Sequence, residues 1–256
     1  MVEWHDLPSN PDCASSEYAV LIPAYNEAAT IRDLVIRTLR HAAQVIVVDD
    51  GSTDNTIEQL AELPITLLIN TRNQGKAASL WRGFQHILQN NVHGIITLDG
   101  DGQHNPEEIP NLLNAAQQYP NRIIIGSRLW DKAAFPPARY RANRFANFWI
   151  AWAAGQPIED SQSGFRIYPA QLLHKLSIHH GKASGFVFES EVIIEGAKLG
   201  FLSQPVAIST IYRPDARASH FRPVMDIAKI VIMVAWKLIS SGFNPLGLYR
   251  SLTIRK

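Results

Sequence analysis

Short apolar runs alternate with helical patterns between positions 18 and 128. The runs YAVLIP, QVIVVDD, ITLLIN, GIITLD and RIIIGS are rich in Ile, Val or Leu and too short for buried helices. Helical patterns fill the segments between them, which begin near Glu27, Asp54, Gly75 and Pro106. Such alternation is typical of βαβ units, in which helices cover both faces of a sheet. The sequence therefore predicts an α/β, Rossmann-like fold with a mainly parallel sheet flanked by helices.

The pattern changes after Arg128. A proline-containing loop is followed by an arginine-rich, aromatic helix in LWDKAAFPPARYRANRFANFWIAWAAG. A strand (FRIYP), a helix from about Phe188 to Leu199 and a further strand (QPVAISTIYR) come next. If the chain catalyses a transfer reaction, we expect this half to carry the part of the active site that binds the acceptor.

Composition limits the classes of protein to consider. With 256 residues, 46% of them apolar, the chain can bury one large domain with appendages. A formal net charge of +1 provides no general attraction to nucleic acid. The single cysteine, Cys13, excludes an internal disulfide framework and suits a reducing cytoplasm. Residues 1–17 are polar and acidic, so we expect a flexible terminus rather than a signal peptide, and a cytoplasmic protein.

Polar side chains follow the predicted strands, where ligands bind in open α/β sheets. Asp99 and Asp101 are two residues apart on an extended segment, so both carboxylates project to the same face. Two hard oxygen ligands at this spacing suit Mg²⁺ or Mn²⁺. A polar turn after a strand is the alternative interpretation of the DGDG segment alone.

Three motifs in order, VLIPAYNEAATI, IVVDDGSTDNT and ITLDGDGQH, resemble the inverting GT-A glycosyltransferases related to the dolichyl-phosphate (polyprenyl-phosphate) mannosyltransferases. The resemblance continues through GSR, DSQSGFR, FVFESEV and IYRPDARASH, and covers roughly residues 18 to 222. It implies a GT-A domain over 18–222 and metal-dependent transfer of a sugar from a nucleotide-sugar donor.

The resemblance also implies roles for individual residues. The positions that hold the nucleotide base and ribose are Pro23, Ala24, Tyr25, Glu27 and Asp50. The metal and diphosphate ligands are Asp99, Asp101 and Gln103. The anion-binding positions of the lipid-phosphate branch are Arg128, Arg213 and a residue best aligned as Arg139, with Arg141 and Arg144 as competitors. The predicted catalytic residues are Asp101, Arg128, Arg139 and Arg213.

One departure from the family pattern and one absent signature of another group concern the substrate. Ser219 is followed by His220 where the family has a lysine, which makes the cationic end of the last motif weaker and titratable near neutral pH. The Gln-x-x-Arg-Trp signature of processive synthases is absent, which indicates transfer of a single sugar.

The predicted reaction is inverting displacement by a polyprenyl or dolichyl phosphate, on a donor of the GDP-mannose or UDP-glucose type. A phosphate monoester is largely dianionic at neutral pH and needs no general base. The main alternative is a hydroxyl acceptor on a lipopolysaccharide or small glycoside, with Glu189 or Glu191 as base.

Two other classes of protein were considered. A nucleotidyltransferase would need a Gly-rich, Lys-containing loop after the first strand, and AYNEAAT is not such a loop. A non-catalytic nucleotide-sugar-binding module is the alternative from another class, and the intact Asp99 and Asp101 argue against it.

The C-terminal segment 223–256 is predicted to carry an amphipathic helix that ends at Gly242. On a helix, one face would bear Arg222, Asp226, Lys229, Met233, Lys237 and Ser240, with Val, Ile, Leu and Trp opposite. The apolar face is expected either to pack against the domain or a sister subunit, or to lie on a membrane with help from Arg250, Arg255 and Lys256. Membrane contact would then be peripheral.

Overall fold

A computed structural model describes residues 17–129, 137–178, 185–209, 223–240 and 242–253, with side chains omitted at 137–139, 185–186 and 223–227. Within these ranges the strands are β1 Tyr18–Ala24, β2 Gln44–Asp49, β3 Thr66–Ile69, β4 Gly94–Thr97, β5 Ile123–Ser127, β6 Arg166–Pro169 and β7 Ser203–Ala207. They form one sheet in the order β3-β2-β1-β4-β6-β5-β7. All neighbours are parallel except β6, which is antiparallel to β4 and β5. The predicted mainly parallel sheet is confirmed.

The helices flank this sheet. They are α1 Ile31–Thr38, α2 Thr56–Gln59, α3 Lys76–Ile87, α4 Ile109–Gln118, α5 Pro137–Ala154, α6 Ala170–Lys175, α7 Gly185–Lys198, α8 Pro223–Ser240 and α9 Pro245–Thr253. The first helices begin one to four residues later than the sequence indicates, because polar residues after the strands form loops instead. Pro106–Glu108 form a 3₁₀ turn before α4. Helix α9 was not predicted.

The core lies on both faces of the sheet, as the near-continuous apolar strands require. Successive residues of β1 point to opposite faces. Leu21 packs in one cluster with α3, α5, α7 and α8, whereas Val20 and Ile22 pack in a second cluster with α1 and α4. Both faces are thus covered by helices, and the strand ends remain for a binding site.

Helix α8 has two apolar faces rather than one. Ile230 and Val234 are fully buried in the core cluster beneath α5 and α7. On another side of the helix, Ile232 and Trp236 are 69% and 70% exposed. Lys237, predicted on a polar outer face, instead contacts carboxylates of α7. Packing against the domain therefore accounts for some of the described apolar side chains of this helix but not for Ile232 and Trp236.

None of the described helices combines the length and hydropathy needed to cross a membrane.

Candidate active site

The three strand-end motifs are hydrogen-bonded to one another at one edge of the sheet. After β1, the Asn26 N–H donates to Ser52 Oγ (2.8 Å) and the Glu27 N–H donates to Thr56 Oγ1 (2.8 Å). The Thr30 hydroxyl donates to the carbonyl of Gly100 in the third motif (2.8 Å). Segments far apart in the sequence thus form a single site at the carboxyl ends of β1, β2 and β4, as expected for an open α/β sheet.

The predicted nucleotide-binding residues after β1 lie at this edge. Pro23 and Ala24 are the last residues of β1, and the Ala24 carbonyl accepts the Asp50 N–H (2.8 Å). Tyr25 and Glu27 follow in the loop and remain partly exposed. The loop is shaped by Asn26, whose φ of 56° lies in the left-handed region that Asn tolerates better than most residues. The group therefore lies at the same edge of the sheet as Asp50.

Asp50 is buried and organises the loop between β3 and α3. Its Oδ1 accepts hydrogen bonds from Asn70 Nδ2 (2.7 Å) and the Gln74 N–H (3.0 Å), and its Oδ2 accepts the Gly75 N–H (2.8 Å). The sequence predicted a contact to the nucleotide for this residue. The structure shows a further role, because Asp50 accepts the N–H groups of the two residues that precede α3.

Asp99 and Asp101 follow β4, and the two carboxyl groups have pKa values shifted in opposite directions. Burial, reinforced by the negative charge of Asp99, raises the pKa of Asp101. Burial opposes ionisation of Asp99 as well, but the ammonium group of Lys76 and the imidazole of His104 hold its pKa well below the usual range. Asp101 Oδ1 accepts the Gln103 N–H at 3.0 Å. Two carboxylates at this spacing repel each other, and a cation between them would relieve the repulsion.

The carboxylates of Asp99 and Asp101 are compatible with a divalent cation that is also bound by oxygens of a substrate. Among the described residues, no group of three or more His, Cys, Asp or Glu side chains is arranged to hold a metal ion. Mg²⁺ is usually bound through one or two carboxylates together with substrate phosphates, rather than by an all-protein cage. A cation at Asp99 and Asp101 would therefore need further ligands, such as the oxygens of a substrate phosphate.

Lys76 links the third motif to helix α7 and was not singled out from the sequence. Its Nζ lies 2.5 Å from Asp99 Oδ1 and 3.0 Å from Glu189 Oε1. Glu189 is buried, and its Oε2 has no hydrogen-bond partner among the described residues. The only indication of this role in the sequence was its position, directly after Gly75 at the start of a predicted helix.

Arg128 is engaged with a carboxylate of its own chain. Its Nε and Nη2 donate to Asp160 Oδ2 (2.9 Å) and Oδ1 (3.1 Å), and only 8% of the residue is exposed. An acceptor phosphate would therefore share this guanidinium with Asp160. The side chain of Arg139, on α5, and the whole of Arg213 lie outside the described residues, whereas Arg141 and Arg144 are exposed on α5. Convergence of three arginines on one anion stays a prediction.

Arg166 explains part of the DSQSGFR motif in structural terms. It is fully buried and donates hydrogen bonds to the carbonyls of Ser161 (2.7 Å), Ser163 (2.7 Å) and Glu189 (2.8 Å). One side chain thus satisfies carbonyl groups of the loop and of α7 and holds them together. Sequence reasoning missed this role, because nothing in the motif indicates that the arginine points inward.

Comparisons with known proteins identify the family of the chain. The model of the family described as "Glycosyl transferase family 2" matches residues 19–191. The chain is 30% identical to the glycosyltransferase AglJ of Haloferax volcanii over 239 residues, 91% of this chain and 75% of that protein. It is 28% identical to the polyprenol monophosphomannose synthase of Mycolicibacterium smegmatis over 202 residues, 74% of this chain and 76% of that protein.

A solved structure shares the fold. The glucosyl-3-phosphoglycerate synthase of Mycobacterium tuberculosis, crystallised with Mn²⁺, UDP and phosphoglyceric acid, superposes with a TM-score of 0.65 at 19% identity. The alignment covers 89% of this chain and 78% of that one. Together with the family match, this makes the chain a member of glycosyltransferase family 2, a glycosyltransferase with a GT-A fold.

Proposed function

We propose that the protein transfers one sugar, with inversion, from a nucleotide diphosphate-sugar of the GDP-mannose or UDP-glucose type to a polyprenyl or dolichyl phosphate. The observation that carries this proposal is the single hydrogen-bonded site formed by the three motifs, in a chain that aligns with a polyprenol monophosphomannose synthase over about three quarters of its length. The name of that relative supports the acceptor, and the motifs support the donor.

Donor binding is assigned to two groups of residues. Base and ribose would contact Pro23, Ala24, Tyr25, Glu27 and Asp50. The diphosphate would lie at Asp99, Asp101 and Gln103 with Mg²⁺ or Mn²⁺, and Mn²⁺ in the structurally similar synthase supports a divalent ion. Such an ion would neutralise the charge that grows on the departing nucleoside diphosphate.

The acceptor phosphate is its own nucleophile. An oxygen of the phosphate dianion attacks the anomeric carbon, the bond from that carbon to the diphosphate breaks, and the electron pair leaves with the nucleoside diphosphate. No proton has to be removed from the acceptor, so no general base is required. Arg128, Arg139 and Arg213 are assigned to holding this phosphate.

A hydroxyl acceptor is the second candidate, and one observation favours it. Glu189 Oε2 is buried and unpartnered among the described residues, in a side chain that shares Lys76 with Asp99. Glu191 is less suitable as a base, since its Oε1 contacts Lys237 at 2.6 Å. If the acceptor is an alcohol, Glu189 is therefore the residue that would take its proton.

The proposal is tested with the purified protein, Mg²⁺, a panel of nucleotide-sugars, and either polyprenyl phosphate or a hydroxyl-bearing glycoside as acceptor. Mass spectrometry of the products identifies the donor, the acceptor and the number of sugars transferred. We expect one sugar on polyprenyl phosphate. Product formed only on the glycoside would establish the second candidate instead.

Peripheral membrane contact through the C-terminal helices is part of the proposal. Besides Ile232 and Trp236, the side chains of Phe243, Leu246, Tyr249 and Leu252 are more than half exposed on α9 and the turn before it. These helices pack against α5, where Phe145 and Phe148 are also exposed. Cationic side chains lie on the same three helices: Arg141, Arg144, Lys229 and Arg250. Apolar side chains beside cations suit the cytoplasmic face of a membrane with anionic lipids.

Replacing Ile232 and Trp236 together by Glu should weaken binding to vesicles that contain phosphatidylglycerol by about tenfold or more, because two side chains lose their burial in lipid. Vesicle co-sedimentation measures the effect. Deleting 223–256 would be a poorer test, since the inner face of α8 belongs to the core.

The matched control replaces Leu199 and Leu202, two exposed leucines between α7 and β7, by Glu. It adds the same two negative charges, so general repulsion from anionic vesicles is equal in both variants. Equal binding of the two variants would contradict the membrane assignment, and the 223–256 segment would then be a packing element only.

Asp50→Ala is expected to raise the KM for the donor by about tenfold and to lower the melting temperature. The variant loses the assigned nucleotide contact and removes the acceptor of three hydrogen bonds, from Asn70 Nδ2 and from the N–H groups of Gln74 and Gly75. Initial rates over a range of donor concentrations, together with thermal unfolding, measure both effects. An unchanged KM with a lowered melting temperature would leave Asp50 with a structural task alone.

A further inference from the structure

Lys76 stands where a cation is locally unfavourable. It is the first residue of α3, a helix of 12 residues with no acidic side chain in its first turn. The positive end of the helix dipole lies there, so a lysine at this position is disfavoured unless anions compensate it. Asp99, in the loop after β4, and Glu189, in α7, supply that compensation. The lysine therefore acts as an internal counter-ion for carboxylates that lie at the donor site.

We propose that Lys76 makes divalent-cation binding depend on the donor. Its ammonium group already neutralises Asp99, the carboxylate that is assigned to the metal, so a cation that arrives alone must compete with it. The diphosphate of the donor gives the ammonium group another anion to contact and gives the cation additional oxygen ligands. Cation and donor thus bind together, with Lys76 as the residue that couples them. This inference rests on the proposed metal-dependent function.

The coupling follows from charge and distance. A divalent ion on Asp99 would lie within a few ångströms of the ammonium group at 2.5 Å from the same carboxylate. Like charges so close together in a partly buried site repel strongly. Binding of the cation alone is therefore disfavoured until an anion offsets the total charge. A nucleoside diphosphate is an anion of the required kind.

The loop before Lys76 links the lysine to the motif that contains Asp50. Asp50 accepts the N–H groups of Gln74 and Gly75, the two residues that precede the lysine. The Gly75 φ of 91° turns the chain into α3 at that point. A residue assigned to the nucleotide thus positions the lysine that is assigned to the diphosphate and the metal.

The experiment measures Mn²⁺ affinity by electron paramagnetic resonance of free Mn²⁺, with and without UDP or GDP. The wild-type protein should bind Mn²⁺ weakly alone and much more tightly with one of the nucleotides. Lys76→Met should bind Mn²⁺ alone about tenfold more tightly, because the competing charge is gone. The gain in Mn²⁺ affinity from the nucleotide should shrink by about tenfold or more.

Two further variants make the comparison specific. Lys76→Gln keeps hydrogen-bond donors for Asp99 and Glu189 without the charge, so it should behave like Lys76→Met even if the methionine variant folds poorly. Lys237→Met is the matched control, since Lys237 also bridges two carboxylates, Glu191 and Glu195, and its loss changes net charge equally. It should leave both Mn²⁺ affinities unchanged.

The outcomes separate this inference from the proposed function. Unchanged or weaker Mn²⁺ binding by both Lys76 variants, with an intact nucleotide effect in the wild type, overturns only the role of Lys76. Absence of Mn²⁺ binding by the wild type with either nucleotide overturns the metal assignment, and this inference falls with it.

Discussion

Asp101→Ala should abolish measurable sugar transfer, a fall on the order of a thousandfold or more, while the protein stays folded. The variant loses one of the two carboxylates assigned to the cation, and electrostatic stabilisation of a leaving diphosphate is among the largest contributions to such a reaction. Transfer assays at saturating donor, with circular dichroism as the check on folding, measure this. Full activity in the variant, or in wild-type protein with excess chelator, would contradict the metal assignment.

The same variant should be at least as stable as the wild type at neutral pH. Burial and the charge of Asp99 raise the pKa of Asp101, so its ionisation in the folded protein is less favourable than in the unfolded chain. Ionised Asp101 therefore destabilises the fold, increasingly as the pH rises through its unfolded pKa, and alanine removes that cost. Thermal unfolding at pH 7 tests the sign. Asp33→Ala, at an exposed position of α1, is the control for activity and should leave transfer unchanged.

A dephosphorylated polyprenol should not be a substrate, whereas polyprenyl phosphate should be. The reason is chemical, since the alcohol lacks both the nucleophilic oxygen anion and the charge that the arginines are assigned to hold. Parallel assays with the two lipids, read by mass spectrometry, decide the question. Equal activity on both would favour the hydroxyl acceptor, and Glu189→Gln should then remove that activity.

Arg139→Ala should lower the catalytic efficiency for the acceptor by about ten- to hundredfold with little change in donor affinity. Each lost charge-assisted hydrogen bond contributes about 1.5 to 3 kcal/mol. Arg141→Ala and Arg144→Ala, on the same helix, are the comparison variants. The arginine whose loss affects the acceptor but not the donor is the true phosphate contact. A uniform effect of all three variants on the donor would contradict an acceptor role for this segment.

Local sequence was sufficient to predict a mainly parallel sheet and the edge at which the polar strand ends meet. The strands are apolar on both sides because helices cover both faces, and that pattern is visible without any tertiary information. Polar residues at the ends of β1, β2 and β4 could be expected to meet, because the carboxyl ends of parallel strands lie at one edge. Asp50, Asp99 and Asp101 lie at that edge for this reason.

Charge pairing could not be deduced in the same way. Lys76, Asp99 and Glu189 are far apart in the sequence, and an ion pair between them leaves no periodic pattern. Arg128 matched an anion-binding position of the family, yet its guanidinium is held by Asp160, 32 residues away. Hydrogen bonds act only over about 3 Å. The anion that neutralises a buried arginine is therefore the one that the fold brings within this distance of its guanidinium group.

Helix α8 shows the same division between what the local sequence determines and what the tertiary structure decides. Its sequence determined a helix with abundant apolar residues, because spacing along a helix is a local property. Only the tertiary structure decided that Ile230 and Val234 face the core, that Trp236 faces outward, and that Lys237 pairs with α7. Burial depends on which surface the helix packs against, and that surface is assembled from distant parts of the chain.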